Sequence, residues 1–247
     1  MQAILYQFPI SHYCEKARWA LDYKRVPYKV HNLLPGLHIK ALKGLVADTT
    51  VPVLRMDGIY IQGSDQIIDA LDKQSSARRL TPHDEQPLRE AREWEEFAAN
   101  KLGDPLRLLS YHYYLEHPRA VIDRFTENGP WYGRLFYALA FNRVRQRIRD
   151  GYRITDRTAG VAKHVIARSL RHLQRHLQNR QFLVGEVFSR ADLSVCALLA
   201  PLVMPAEGYV RQGDFVPAEL TGFRQEFEDS PVFTWVNDIY SGFRSTL

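Results

Sequence analysis

Residues 1–74 alternate between two hydrophobic periods. The run AILYQF reads as a strand, and CEKARWALDYK sets Ala17, Ala20 and Leu21 on one face, the spacing of an amphipathic helix. YKVHNLL alternates like a second strand. GLHIKALKGL gathers Leu37, Ala41, Leu42 and Leu45 into a short helix. VPVLRMDG reads as a third strand ending at Asp57-Gly58, a hairpin signal, with IYIQ as its antiparallel partner. SDQIIDALDK predicts a helix with Ser64 as N-cap and Ile67, Ile68 and Leu71 facing inward. The order β-α-β-α-β-β-α implies a small mixed sheet: a parallel pair joined by a helix, then a hairpin, with helices on the faces.

The pattern breaks at residues 75–87, which are polar and proline-containing and read as an interdomain linker. Residues 88–247 are helical in period almost throughout. A kink or break is expected near Gly103-Asp104-Pro105. SRADLSVCALLAPLVM predicts a buried apolar helix, GYVRQGDFVP a loop, and SPVFTWVNDIYSGFR a closing amphipathic helix. The fold class is therefore an α/β N-terminal domain followed by an all-α domain.

Composition sharpens this picture in a few places. The chain of 247 residues is 45% hydrophobic and 25% charged, as expected of a globular protein with a real core. The longest apolar run is broken by Pro201 and too short to cross a bilayer, and the start lacks the pattern of a signal peptide, so a cytoplasmic location is expected. Two distant cysteines, Cys14 and Cys196, make no disulfide framework. His164, His172 and His176 share one helical stretch, but Arg171 and Arg175 beside them would repel a cation, and no metal site is expected. The net charge of +5 gathers between Arg143 and Arg180. Ile166, Leu170, Leu173 and Leu177 form an apolar stripe there, which favours reading the arginines as the solvated outer face of a core helix, with a nucleic-acid or anionic-membrane surface as the minor alternative.

The candidate chemistry lies at helix starts. Ser11 stands just ahead of the first helix and reads as an N-cap. The same hydroxyl could instead donate to an anion held at that N-terminus, a thiolate included. Cys14, one turn on, is either a thiolate nucleophile or a small packing residue. Pro52 opens a strand, where a trans bond is the general expectation. If the bond is cis, the backbone of Val51 can pair with a peptide-like ligand. Ser64 and the free N–H groups beside it suit a carboxylate, and Asp65 suits an ammonium. Ser189-Arg190-Ala191-Asp192 reads as a capping box of structural value.

SHYCEKARWAL, VPVL, GSDQIIDAL and FLVGEVFSRADLSVCALL occur in the order and at the separations found in cytosolic glutathione transferases, which the sequence resembles over most of its length. The resemblance implies a thioredoxin-like N-terminal domain that binds glutathione, an all-helical C-terminal domain, and a homodimer. On it, Ser11 holds the place of the serine that stabilises the glutathione thiolate. Pro52 matches the family's cis-proline, Val51 the residue whose backbone pairs with the cysteinyl unit, and Ser64 the serine that holds the γ-glutamyl carboxylate. The residue before that serine is commonly acidic or glutamine in the family; here it is Gly63, with Asp65 placed to compensate. The electrophile would lie between the domains, where Tyr111, Tyr113, Tyr114 and Trp131 are candidates to shape its pocket.

The expected function is a serine-type glutathione transferase, with glutathione as co-substrate, a small electrophile as partner, and neither metal nor membrane involved. The electrophile is not readable. Two alternatives stand beside it: thiol transfer or deglutathionylation through Cys14, and a transferase-like binding or stress-response protein without catalysis.

Overall fold

The computed structural model describes residues 3–210 and 213–244. Arg211 and Gln212, within the predicted GYVRQGDFVP loop, lie outside the described residues. The first part folds as β1 (Ala3–Gln7), α1 (His12–Tyr23), β2 (Tyr28–Asn32), α2 (His38–Leu42), β3 (Val53–Met56), β4 (Ile59–Gln62) and α3 (Ser64–Gln74), the predicted order. The four strands lie in the order β2-β1-β3-β4. Leu5 of β1 faces Val30 in the parallel pair and Leu54 in the antiparallel one. The hairpin turns where the sequence signals it: Asp57 and Gly58 both take positive φ, 49° and 87°, as a turn matched to strand twist requires.

One local expectation is corrected. The N-cap of α3 is Gly63, and Ser64 is the first helical residue. Gly63 has φ 93° and ψ 138°, a conformation that only glycine adopts without strain, and the chain uses it to turn from β4 into α3.

The remainder is helical: α4 (Glu85–Phe97), α5 (Asp104–Tyr114), α6 (Pro118–Thr126), α7 (Gly133–Gly151), α8 (Asp156–His176), α9 (Arg190–Val203), α10 (Ala218–Gln225) and α11 (Pro231–Phe243). Where a kink or break is expected, near Gly103-Asp104-Pro105, a π-helical turn, Ala98–Gly103, joins α4 to α5. Pro105 falls in the first turn of α5, where its missing N–H costs little. The predicted apolar helix α9 runs through the core, with Leu193, Val195, Leu198 and Leu199 fully buried. It begins on the capping box: Asp192 accepts from the Ser189 backbone N–H at 2.9 Å, and Ser189 Oγ accepts from Ala191 N–H at 3.2 Å.

Charge is buried where the sheet and its helices meet the later ones. Glu95 of α4 receives Lys16 Nζ of α1 at 2.5 Å and Arg190 Nη2 of α9 at 2.6 Å. Arg190, with no exposed surface, also reaches Asp69 of α3 at 2.5 Å and Thr81 Oγ1 at 3.0 Å. One carboxylate thus clamps three elements, and its pairing with two cations holds its pKa below the ordinary range despite burial. On α8, Ile166, Leu170 and Leu173 are buried and Arg168, Arg171 and Arg175 are exposed, as the stripe predicts.

Candidate active site

The N-terminus of α1 is built by its own sequence. Ser11 takes an extended conformation, and its Oγ accepts from the Cys14 backbone N–H at 3.3 Å. A hydroxyl has one donor and two acceptor positions, so the cap uses an acceptor position and not the Ser11 proton, which faces the Cys14 thiol as well as the adjoining space. The residues after it are anchored to the π turn. Tyr13 Oη donates to Asp104 Oδ1 at 2.7 Å, and an ideal Cβ on Gly103 would stand 2.8 Å from that hydroxyl. Glycine is what lets Tyr13 approach so closely. His12 is 6% exposed; its ring donates to the Gly103 carbonyl, while its Nε2 is buried without a partner. Burial, followed by the charge of Arg107, lowers the His12 pKa to about 3, so the ring is neutral.

Beside Ser11 lies a cavity of about 180 Å³, walled by Val51 on the sheet side and by Tyr111 and Tyr114 of α5 on the other. The structure therefore brings Ser11, Val51, Tyr111 and Tyr114 to one space. The Val51–Pro52 bond is cis, against the general expectation for X-Pro and in line with the family resemblance. The Pro52 carbonyl accepts from Gly63 N–H at 3.0 Å, which ties the segment to the start of α3. Gln62 holds the preceding loop, accepting from Asp48 N–H at 3.1 Å and donating to the Thr50 carbonyl at 3.1 Å. Gly63, Ser64 and Asp65 stand at that junction but do not line the cavity; Ser64 is buried and Asp65 exposed.

Other placements differ from expectation. Trp131 is 90% exposed and lines no part of the cavity, because it precedes α7 on that helix's solvent side. Tyr113 also points away, with Lys163 Nζ 5.4 Å from its ring centre. Cys14 is wholly buried in the core, and desolvation, the largest cause, pushes its thiol pKa up. A buried, protonated thiol is not a poised nucleophile.

The sequence reading missed several cavity residues. Arg107 of α5, Arg124 of α6, Tyr152 and Tyr209 all line it. Arg107 lies over the rings of Tyr152 and Tyr13, 4.6 and 5.4 Å from their centres. Tyr114 Oη donates to the Phe215 carbonyl at 3.1 Å. Burial raises the pKa of Tyr111 and Tyr209, so both phenols remain protonated donors. No sequence signal marks these residues, since they converge from separate helices. Among the described residues no group of three or more His, Cys, Asp or Glu could hold a metal ion, and no helix is long and apolar enough to cross a membrane. His172 instead stacks on Trp94 at 5.4 Å.

A capped helix after β1, a cis-proline before β3 and a helix entered from a glycine turn are features that can be tested against known families. The family of the glutathione S-transferase N-terminal domain matches residues 5–79. This part of the chain is similar to a glutathione S-transferase N-terminal domain. The fold of the whole chain agrees with solved glutathione S-transferases. One from Rhodospirillum rubrum F11 aligns with a TM-score of 0.67 at 17% identity, over 97% of this chain and 88% of that one. The beta-etherase LigF from Sphingobium sp. strain SYK-6 aligns with a TM-score of 0.64 at 18% identity, over 96% and 99%. A glutathione transferase from Pseudomonas putida, solved with one glutathione disulfide bound per subunit, aligns at 0.62 and 15% identity, over 98% and 86%. Among curated proteins no sequence matches significantly. The matched part of the chain thus supplies Ser11 and Val51 to the cavity, while the later helices supply the opposite wall.

Proposed function

We propose that the protein is a glutathione transferase that binds glutathione along Val51, Pro52, Gly63, Ser64 and Asp65 and holds its sulfur at Ser11. The observation that carries this reading is the Ser11 hydroxyl, which caps α1 as an acceptor and lines the adjoining cavity. The thiol proton passes to solvent. The thiolate accepts the Ser11 O–H and benefits from the helix N-terminus, which lowers its pKa. It then attacks an electrophile held by the helical wall, where Tyr111 and Tyr114 stand; the new C–S bond forms as the leaving group departs with its electron pair. Catalysis here is thiolate stabilisation plus proximity.

Isothermal calorimetry with glutathione tests the binding, and the pH profile of conjugation in Ser11→Ala tests the hydroxyl. Binding in the millimolar range or tighter and a profile moved to higher pH are expected. No heat at millimolar glutathione would favour the non-catalytic alternative, and an unchanged profile would remove Ser11 from the mechanism. The alternative through Cys14 loses support from that residue's complete burial. A homodimer and a cytoplasmic location accompany the proposal on the strength of the resemblance.

A further inference from the structure

The cavity beside Ser11 is unevenly charged. Arg107, Arg124 and Arg224 line it, and no aspartate or glutamate does. Its histidines add no cation, since burial lowers the pKa of both His12 and His38. Each guanidinium is held from outside the lining by one carboxylate oxygen: Asp104 at 2.8 Å, Asp214 at 2.9 Å and Glu228 at 3.2 Å. Arg224 Nη2 also donates to the Val203 carbonyl at 3.4 Å, and Arg124 hydrogen-bonds Tyr114. A guanidinium has five N–H donors, so these contacts leave part of each fork unused. Arg107 Nε is buried with no partner. The wall around Arg107 is aromatic, with Tyr111 stacked on Tyr152 at 5.5 Å and the guanidinium over Tyr152. Flat rings beside a planar, partly desolvated cation select a flat ligand that carries an oxyanion.

We infer that the electrophile of this protein is an aromatic molecule bearing an anionic group, a carboxylate in the simplest case, oriented by Arg107 and Arg124. The inference rests on the transferase reading and names the substrate class for it. Glutathione also carries carboxylates, but its proposed contacts belong to the sheet-bearing domain, whereas these arginines come from α5 and α6.

The test compares chlorodinitrobenzoate with uncharged chlorodinitrobenzene at saturating glutathione. In both, the glutathione thiolate adds to the chlorinated carbon, the C–S bond forms, chloride leaves with its bonding pair, and the thiol proton goes to solvent. After correction for uncatalysed rates, kcat/KM is expected to favour the anion by about tenfold or more, the worth of one charge-assisted contact. Arg124→Gln and Arg107→Gln should each collapse that ratio while KM for glutathione moves less than KM for the benzoate. A wild-type ratio near one overturns the inference. So does an unchanged ratio in both variants, or a rise in glutathione KM without a change in ratio, which would assign the arginines to glutathione. If a variant does not fold, the wild-type ratio still decides, together with calorimetry of non-reacting dinitrobenzoate against dinitrobenzene. Dinitrobenzoate binding without turnover of either chloride would sustain the anion site and sink the transferase reading; turnover without preference would do the reverse.

Discussion

Ser11 Oγ and the Cys14 backbone nitrogen are 3.3 Å apart, with the serine as acceptor. On the proposed mechanism cap and donor use different positions of one hydroxyl, and a substitution separates them. Ser11→Asp keeps a good capping acceptor but has no proton to give and adds charge of the thiolate's own sign. It is expected to unfold near the wild-type temperature and to conjugate glutathione at least about tenfold more slowly. Ser11→Ala should lose both, with about 1 kcal/mol of stability gone alongside the rate. Thermal melts and steady-state rates on the two variants check this; a fully active Ser11→Asp would sink the donor role.

Gly63 supplies a second test. An ideal Cβ there would stand 2.8 Å from Asp65 Oδ1, and its φ of 93° disfavours any side chain. Gly63→Ala should cost about 1–3 kcal/mol, the usual range for a residue forced into such a conformation. Gly63→Glu, which restores the residue type common in the family, should cost at least as much here. Chemical denaturation measures both, and a Gly63→Ala protein as stable as wild type would show that the turn relaxes freely.

Much of this architecture is legible in the sequence because local signals agree with it. The Asp57-Gly58 turn, the inward Ile67, Ile68 and Leu71, and the Ser189–Asp192 box each act within a few residues. Ser11 and Val51 reach the site for the same reason: each sits at an element end that its own neighbours define. The far wall is a product of tertiary convergence. Arg107, Arg124 and Tyr209 come from separated segments, and nothing near them in sequence distinguishes a cavity arginine from a solvated one. Trp131 misled for the opposite reason, since an aromatic beside other aromatics suggests a pocket while the helix that follows turns it to solvent. Glycine and proline signal a kink or break near Gly103, and the structure meets that signal with a π turn against which Tyr13 packs.

Cys14 and Cys196 both have no exposed surface, and burial raises both thiol pKa values. The native protein is expected to show no thiol that reacts rapidly with a disulfide reagent at neutral pH, and two after denaturation. Mass spectrometry after treatment with glutathione disulfide gives the same reading: a native Cys14 adduct would revive the thiol-transfer alternative.

Glu95 has two almost entirely buried cationic partners, Lys16 and Arg190, and a more exposed third, Arg92, at 3.6 Å. Glu95→Gln removes the carboxylate paired with Lys16 and leaves Arg190 with Asp69 alone, and stability should fall by about 3–5 kcal/mol, as when one side of a buried ion pair is removed. Because the carboxylate's pKa is lowered in the folded state, its contribution is complete above the ordinary glutamate range and fades as pH falls through the folded value. The variant should therefore lose part of the acid sensitivity seen in wild type. Denaturant midpoints measured at neutral and acidic pH test both statements.

His12 governs a different acid window. Its folded pKa is lowered to about 3, while in the unfolded chain it titrates near the ordinary histidine value of 6.5. Between those values the unfolded state binds a proton that the folded state refuses, so stability rises with pH across that window and is fully present above it. Falling pH thus pulls the chain towards unfolding, by up to several kcal/mol if the full difference is realised. The surroundings explain the refusal: Arg107 repels a second cation, and the ring already spends one nitrogen on the Gly103 carbonyl. His12→Asn keeps a donor for that carbonyl and carries no titratable group. Between pH 6.5 and 4 its denaturation midpoint should decline less than that of wild type, while at pH 8 the substitution shows only its packing cost. Parallel pH profiles for the two proteins would mean that His12 takes up its proton without unfolding the chain.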